Sequence, residues 1–328
     1  MERDVVTALP PAGDGRPASL GCWCGRGSWR TCFRTRRFGL VRCTACGTYR
    51  IDPPPIASDG ESGTFYTHYY EGGNPSDEVS LSESGRRPGR ASRFWNVVSR
   101  VPSLDGGGGR VLDVGCGEGG LCAELHAAGW RDVFGLDVSR SRVARARRNN
   151  PGVEFFDELL PNPRIAGSSM DLVVMDNVIE HMPDPVSQLA AVRDCLRPGG
   201  RLVVITPNME SGCFRLLGRR WTPELSPHAH IFLFIPSSMR TLLARAGFEV
   251  EAEGNFGGHY PGKDLIAPFL QRDWKLGVWR LVQDAGLRYG ELIRSGPMLY
   301  AVARKPATAE APPPAPRAAR GGAPGLTA

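Results

Sequence analysis

No stretch of the 328-residue sequence approaches the about 18 consecutive apolar residues that a membrane-spanning helix requires. The N-terminus, Met1-Glu2-Arg3-Asp4, also lacks the basic region followed by an apolar one that marks a secretion signal. These two absences predict a cytoplasmic chain with no membrane span. Internal repeats are missing, which excludes solenoids and propellers. An even cysteine set is missing too: there are nine, and without a secretion signal they read as thiols or metal ligands and not as a disulfide framework. A strong charge excess is lacking as well. Lys and Arg number 40 against 34 Asp and Glu, and the net +6 is mostly arginine in an Arg-, Gly- and Pro-rich chain. That gives little support to a polyanionic partner, and nucleic acid is not expected.

What is present suffices for one full α/β core and a small accessory module, with 41% hydrophobic and 23% charged residues. Residues 1–18 and 306–328 are rich in Pro, Gly and Ala without periodicity and predict disordered ends. Five cysteines cluster at Cys22, Cys24, Cys32, Cys43 and Cys46, and Pro53 to Pro55 close that region. A polar stretch containing Phe65, Tyr66, His68, Tyr69 and Tyr70 leads to a predicted helix near Ala91–Val101, with Phe94, Val97, Val98 and Val101 on one face. From Arg110 the pattern is regular. Apolar runs at 110–114, 133–138, 153–156, 170–175 and 201–206 alternate with helical stretches at 119–128, 139–149 and 185–196. A helix near Ser237–Ala246, a run at Phe248–Glu253 and an alternating strand at Met298–Arg304 follow. This predicts an α/β fold: a Rossmann-like, doubly wound, mostly parallel sheet with an antiparallel last strand.

Residues 111 to 120 read Val-Leu-Asp-Val-Gly-Cys-Gly-Glu-Gly-Gly, so the first strand runs into Gly115, Gly117 and Gly119, where the backbone turns tightly and a ligand can approach. The first strand-to-helix crossing is therefore a nucleotide site. Gly115, Gly117 and Gly120 equally spell the dinucleotide pattern G-x-G-x-x-G, and Asp137 lies where either cofactor would need a ribose-binding acid. Asp113 separates the two, because a carboxylate at the strand mouth repels phosphates and suits a cation. Downstream, Met170-Asp171 through Asp176-Asn177-Val178-Ile179-Glu180-His181-Met182-Pro183-Asp184-Pro185, and Leu196-Arg197-Pro198-Gly199-Gly200 through Asn208, complete an ordered set. Over about residues 105 to 253 the chain resembles the class I S-adenosylmethionine (SAM)-dependent methyltransferases, in the branch with Glu-His, Asp-Pro and Leu-Arg-Pro-Gly-Gly.

The resemblance implies that Asp113, Gly115, Cys116, Gly117 and Gly119 wrap the methionine part of SAM. It implies that Asp137, with Val138 beside it, accepts the ribose hydroxyls, that Asp157 sits near the adenine amine, and that Asp176 and Asn177 floor the pocket by the methyl group. Asp157 and Asn177 also read as ordinary strand-end turn residues. Pro198, Gly199 and Gly200 are expected to shape the turn into the fifth strand.

Cys22-Trp23-Cys24-Gly25 and Cys43-Thr44-Ala45-Cys46-Gly47 form two knuckle-like pairs at the separation of a zinc ribbon, so Cys22, Cys24, Cys43 and Cys46 are the expected ligands of a structural Zn²⁺. The first pair is C-x-C, with Gly21 where a cysteine is wanted; Cys32 is an alternative ligand, and an irregular module of reduced thiols the competing reading. The module, with the tyrosine-rich segment behind it, is similar to the metal-binding segment of bacterial methyltransferases of sugar, glycan and natural-product pathways. The expected division is thus a disordered N-terminus (1–18), a zinc-ribbon-like module (19–56), a linker and cap helix (57–104), a methyltransferase domain (105–305, with a variable insertion at 254–297) and a disordered tail (306–328).

Methyl transfer to a hydroxyl needs alignment and a base. His181, His228 and His230 are the candidates, His181 also reading as a loop residue packed beside the cofactor, and the other pair, on the expected acceptor lid, also reading as a metal site with Glu224 as its one nearby acidic ligand. Trp221 and Tyr260 are candidate pocket walls. Arg140, Arg142, Arg145, Arg147 and Arg148 read as a solvated helix face in preference to a phosphate site. The Asn/Asp-Pro-Pro-aromatic clamp of adenine- and glutamine-directed enzymes is absent after Asp176. The expectation is methylation of oxygen, less readily carbon, on a small molecule, sugar or glycan. The competing readings are a non-catalytic SAM-binding protein that interacts through the cysteine module, and an NAD(P)-dependent oxidoreductase.

Overall fold

The computed structural model describes residues 21–36, 38–55, 92–105, 107–218, 226, 227, 229–256 and 296–307. The expected disordered ends apart from 306 and 307, the tyrosine-rich segment, His228, Trp221, Glu224, Tyr260 and most of the 254–297 insertion lie outside these residues.

Three strands come first, β1 (Trp29–Arg34), β2 (Gly39–Cys43) and β3 (Tyr49–Asp52). Helix α1 (Arg93–Val98) precedes an alternating series: β4 (Arg110–Val114), α2 (Gly120–Ala127), β5 (Asp132–Leu136), α3 (Arg140–Asn149), β6 (Glu154–Phe156), β7 (Met170–Asp176), α4 (Pro185–Cys195) and β8 (Leu196–Pro207). The series continues through α5 (Gly212–Leu217), β9 (Phe232–Leu233), α6 (Pro236–Arg245), β10 (Glu249–Phe256) and β11 (Met298–Arg304). The larger sheet has the order β10-β11-β8-β7-β4-β5-β6. Strands β4 to β8 pair in parallel, and β11 is antiparallel to both of its neighbours. The doubly wound, mostly parallel sheet with an antiparallel last strand is as the sequence predicted.

Both faces are covered, which is why the central strands are almost continuously apolar. On β4, Leu112 and Val114 join a core that includes Leu189, Val192, Leu242 and Leu243 of α4 and α6. Val111 joins the opposite core with Phe94, Leu125 and Val143 of α1, α2 and α3. Leu112 has no exposed surface, so its truncation to Ala costs about 2–5 kcal/mol. The helices start where side chains cap them: the Ser139 hydroxyl accepts from Arg142 N (3.4 Å) and the Asp184 carboxylate from Ser187 N (3.1 Å), with Pro185 in the first turn of α4.

One expected boundary moves. Strand β8 begins at Leu196, and Pro198-Gly199-Gly200 lie within it as a bulge instead of preceding it as a turn. The ladder to β7 slips between Met170 and Leu172, while Gly199 N donates to Lys305 O and Lys305 N to Gly200 O (both 2.9 Å), so the bulged segment is paired on its other side.

The smaller sheet has the order β1-β2-β3-β9. Its fourth strand comes from residues 232 and 233, so the cysteine module is stitched to the main chain body by a shared ladder, Tyr49↔Leu233 and Arg50↔Phe232.

Candidate active site

The glycine loop leaves β4 and is pinned to the neighbouring strand: Gly115 N and Cys116 N both donate to Leu136 O, at 2.7 and 2.9 Å. Gly115 has φ +76, and a Cβ there would strike the Val178 side chain, so this position has no room for one. Gly117 has φ +55 and open space where its Cβ would go. The loop therefore backs tightly onto protein at its first glycine and opens onto a cradle at its second. Asp137 follows β5 directly; one carboxylate oxygen accepts from Gly117 N and the other from Ser139 N, both at 2.9 Å.

Three carboxylates converge on this loop. Asp113 is fully enclosed, accepting from the Cys122 thiol (3.5 Å), and burial, followed by the fields of Asp176 and Asp137, pushes its carboxyl up to about 8. Asp176 ends β7, where Arg93 of α1 meets it at 3.0 Å. Asn177 follows with φ +55, a left-handed conformation that Asn tolerates, and in the amide orientation that satisfies both groups its oxygen accepts from both terminal nitrogens of Arg93 (3.2 and 3.1 Å). A loop lined by acids disfavours a dinucleotide's phosphates, and a bound ammonium or sulfonium would draw the Asp113 carboxyl back toward its charged form, so the residues fit SAM. Beside it, Val138, Asp157, Leu159 and Leu160 line an open cavity of about 450 Å³. Asp157 is ion-paired to Arg140 (3.7 Å) and Arg147 (3.2 Å), and Arg145 to Glu118, so three arginines of α3 bind the chain's own acids.

Past Asn177 a single 3-10 turn, Ile179–His181, places Glu180 and His181 under the segment that carries His230. Ile231 N donates to Glu180 O (2.8 Å), and His181 Nδ1 donates to Ala229 O (3.0 Å). The His181 and His230 rings meet edge to face with centroids 4.8 Å apart. Glu180 has no exposed surface; the Thr206 hydroxyl donates to one of its oxygens (3.0 Å) and His230 Nε2 lies 4.0 Å from the other. Burial pushes Glu180 up to about 8 and His181 down to about 4.

In the cysteine module the four expected ligand atoms meet. Cys22 Sγ lies 3.5 Å from Cys46 Sγ, Cys24 Sγ 3.6 Å from Cys43 Sγ, and all four lie within 4.8 Å of one another. Thiolates about 2.3 Å from a tetrahedral zinc stand about 3.8 Å apart, so the set has the size of a Cys₄ site. The C-x-C pair succeeds despite Gly21, because Gly25 (φ +67) turns the chain back with its N–H on Cys22 O, as Gly47 does on Cys43 O. Cys32 is exposed, with its thiol toward Arg30 O, and does not belong to the set.

Two residues of this site were not singled out from the sequence. Glu180 carried a usable signal, an acid directly after the apolar pair Val178-Ile179. Arg93 carried none, since it lies in a polar stretch without a motif and reaches Asp176 only through the packing of α1.

A parallel sheet with an acid-lined glycine loop at its first crossing defines a nucleotide-binding α/β enzyme built for a cationic cosubstrate. A family model described as a methyltransferase domain matches residues 85–253, just over half of the chain, and the chain belongs to that family. It is a SAM-dependent methyltransferase. The chain is 32% identical over 200 residues to the ubiquinone biosynthesis O-methyltransferase of Marinobacter nauticus, covering 52% of this chain and 83% of that one. It is 29% identical over 230 residues to the protein of the same description from Aeromonas salmonicida, covering 62% and 92%. It is also similar to the solved structure of a SAM-dependent methyltransferase from Mesorhizobium loti, at 22% identity and a TM-score of 0.46, covering 65% and 98%.

Proposed function

We propose that the chain transfers the methyl group of SAM to a hydroxyl oxygen of a small-molecule acceptor, sugar and glycan hydroxyls included. The observation that carries this reading is the adjacency, across Asp176 and Asn177, of the acid-lined loop and the buried Glu180–His181–His230 group. The curated relatives' description as O-methyltransferases supports oxygen over carbon.

Asp137 holds the ribose hydroxyls, its two oxygens keeping lone pairs beyond those given to Gly117 and Ser139. Val138 and Asp157 take the adenine at the cavity they line. Gly115, Cys116, Gly117 and Gly119 curve around the methionine part. Asp113 and Asp176 favour its positive charges, Arg93 faces its carboxylate, and Asn177 floors the methyl group. When bound, SAM supplies a methyl carbon activated by a sulfonium leaving group; the protein's part is to align the acceptor oxygen and take its proton. Cys22, Cys24, Cys43 and Cys46 hold a structural zinc; a closed Cys₄ set leaves no position for substrate, so the metal folds the module and steadies β9. The same reading divides the chain into segments 1–18, 19–56, 57–104, 105–305 and 306–328, and the pairing of β3 with β9 supports a tie between the second and fourth.

The test is incubation with SAM labelled in its methyl group and a panel of catechols, phenols, sugars and glycans. Label recovered in an O-methyl ether supports the reading; label recovered only on carbon or nitrogen, or no turnover across the panel with SAM bound, sinks it.

A further inference from the structure

Ligand atoms of Glu180, His181 and His230, one from each, lie within 4.8 Å of one another, and of the two histidines His230 is the one whose ring nitrogen stands 4.0 Å from the carboxylate. Glu180 stands in a turn whose other side chains are apolar or imidazole, and it is wholly enclosed. Its Oε2 is fixed by the Thr206 hydroxyl at the end of β8. Its Oε1 has no hydrogen-bond partner among the described residues and lies 4.0 Å from His230 Nε2, about 1 Å beyond hydrogen-bond distance. A buried carboxylate oxygen left in that state is costly, and the group that can relieve it is the imidazole it faces. The backbone reinforces the approach, since Ile231 N donates to the carbonyl of Glu180 itself, clamping the residue after His230 onto the residue that faces it. His181 has a different environment: its Nδ1–H is committed to Ala229 O and its ring is walled in beneath His230.

We propose that Glu180 is a positioning residue that orients His230 and stabilises its protonated ring, making His230, and not His181, the base of the methyl-transfer reaction. This rests on the O-methyltransferase reading above. As the acceptor oxygen attacks the methyl carbon, the carbon–sulfur bond breaks and its electron pair stays on sulfur, which becomes a neutral thioether. The hydroxyl proton passes to His230, and the Glu180 carboxylate balances the imidazolium. Catalytic hydrogen bonds are often long in ligand-free enzymes and tighten in the working complex, which accommodates the 4.0 Å separation.

Among the described residues, the charged and titratable groups around the pair are few. Glu180 and His181 face His230 from the 3-10 turn, Thr206 meets Glu180 from β8, and Asp176 and Arg93 act on Glu180 from the end of β7 and from α1 with opposite signs. Burial pushes Glu180 up to about 8, so the carboxylate form that balances an imidazolium gains population as pH rises toward that value. His181, held near 4, stays neutral throughout.

The test is a histidine side-chain NMR titration of the full chain labelled with ¹⁵N-histidine, which needs no acceptor and is independent of whether methyl transfer to oxygen is observed. His181→Asn and His230→Gln assign the two signals. In the wild type His230 is expected to titrate at least about two units above His181. In Glu180→Gln, which keeps the shape and the Thr206 contact, the His230 midpoint is expected to fall by about one unit or more, a tenfold change, with part of the fall recovered in Glu180→Asp. A His230 midpoint unchanged in folded Glu180→Gln overturns the proposal. So does a wild-type midpoint at or below that of His181, or one equivalent of divalent metal that is retained by the wild type and lost from His230→Gln.

Discussion

Ile51 N donates to Ile231 O at 3.2 Å, tying the last strand of the cysteine module to the residue that follows His230. Folding of the module and placement of His230 are thereby coupled, although no module cysteine belongs to the acid-lined loop. Cys43→Ser and Cys46→Ser are expected to lose bound zinc and most methyl transfer while S-adenosylhomocysteine affinity changes by less than about threefold. Cys32→Ser is expected to retain one equivalent. Elemental analysis of reduced protein alongside calorimetric titration checks this; zinc content indifferent to Cys43 and Cys46 contradicts the Cys₄ assignment.

Asp113 makes the fold sensitive to alkali. Its carboxyl is raised from 3.8 to about 8, so across that window the folded chain holds a proton that the unfolded chain has released. Stability therefore falls as pH rises from about 4 to about 8. Glu180, raised from 4.5 to about 8, adds to the same trend. Asp113→Asn is expected to raise the melting temperature at pH 8 relative to wild type and to flatten the slope in part, while weakening S-adenosylhomocysteine binding at least about tenfold. Melting curves at half-unit pH steps decide it; an Asp113→Asn protein less stable at pH 8 than wild type contradicts the burial argument.

The two loop glycines respond differently. Gly115→Ala drives a Cβ into Val178 at φ +76 and is expected to lower both stability and cofactor affinity. Gly117→Ala meets no protein atom, so the fold loses only the about 1–2 kcal/mol of left-handed strain while the methyl group intrudes on the cradle. Affinity should fall more than stability at 117, and the two together at 115; thermal melts paired with titrations separate them.

His181 acts in the opposite sense to Asp113 and Glu180, within the same pH range. Burial lowers it from 6.5 to about 4, so as pH falls through that interval the unfolded chain gains a proton the folded chain refuses, and this contribution offsets part of the stability that Asp113 and Glu180 add on acidification. His181→Asn should remove this opposing contribution, so that the variant gains more stability than the wild type between pH 7 and 4.5. Chemical denaturation at pH 4.5 and 7 measures it, and an unaltered ratio of stabilities in the variant contradicts the assignment.

The alternating core was legible because each strand covered on both faces must be apolar, as in the run Leu172-Val173-Val174-Met175, and α3, α4 and α6 start at Ser139, Asp184-Pro185 and Pro236. Asp113 and Asp137 were legible for the same reason: a charged residue at the end of an apolar strand stands out. The bulge at Gly199 was not, since it depends on Lys305, a residue about a hundred positions away in sequence. Arg93 and the pairing of β3 with β9 were hidden likewise, because both are long-range contacts made by residues with no local pattern. The cysteine set was readable in membership but not in geometry. The C-x-C spacing argued for Cys32 as a substitute, and only the turn at Gly25 shows why none is needed.

The central claim is that the loop from Asp113 to Gly119 and the acid at Asp137 form a SAM site. Calorimetric titration of the wild type and Asp137→Ala with S-adenosylhomocysteine and with NAD tests it most directly. The expected result is saturable S-adenosylhomocysteine binding by the wild type, weakened at least about tenfold in Asp137→Ala through loss of charge-assisted hydrogen bonds, and no NAD binding by either protein. NAD binding by the wild type, or S-adenosylhomocysteine affinity unchanged in a folded Asp137→Ala, would contradict it.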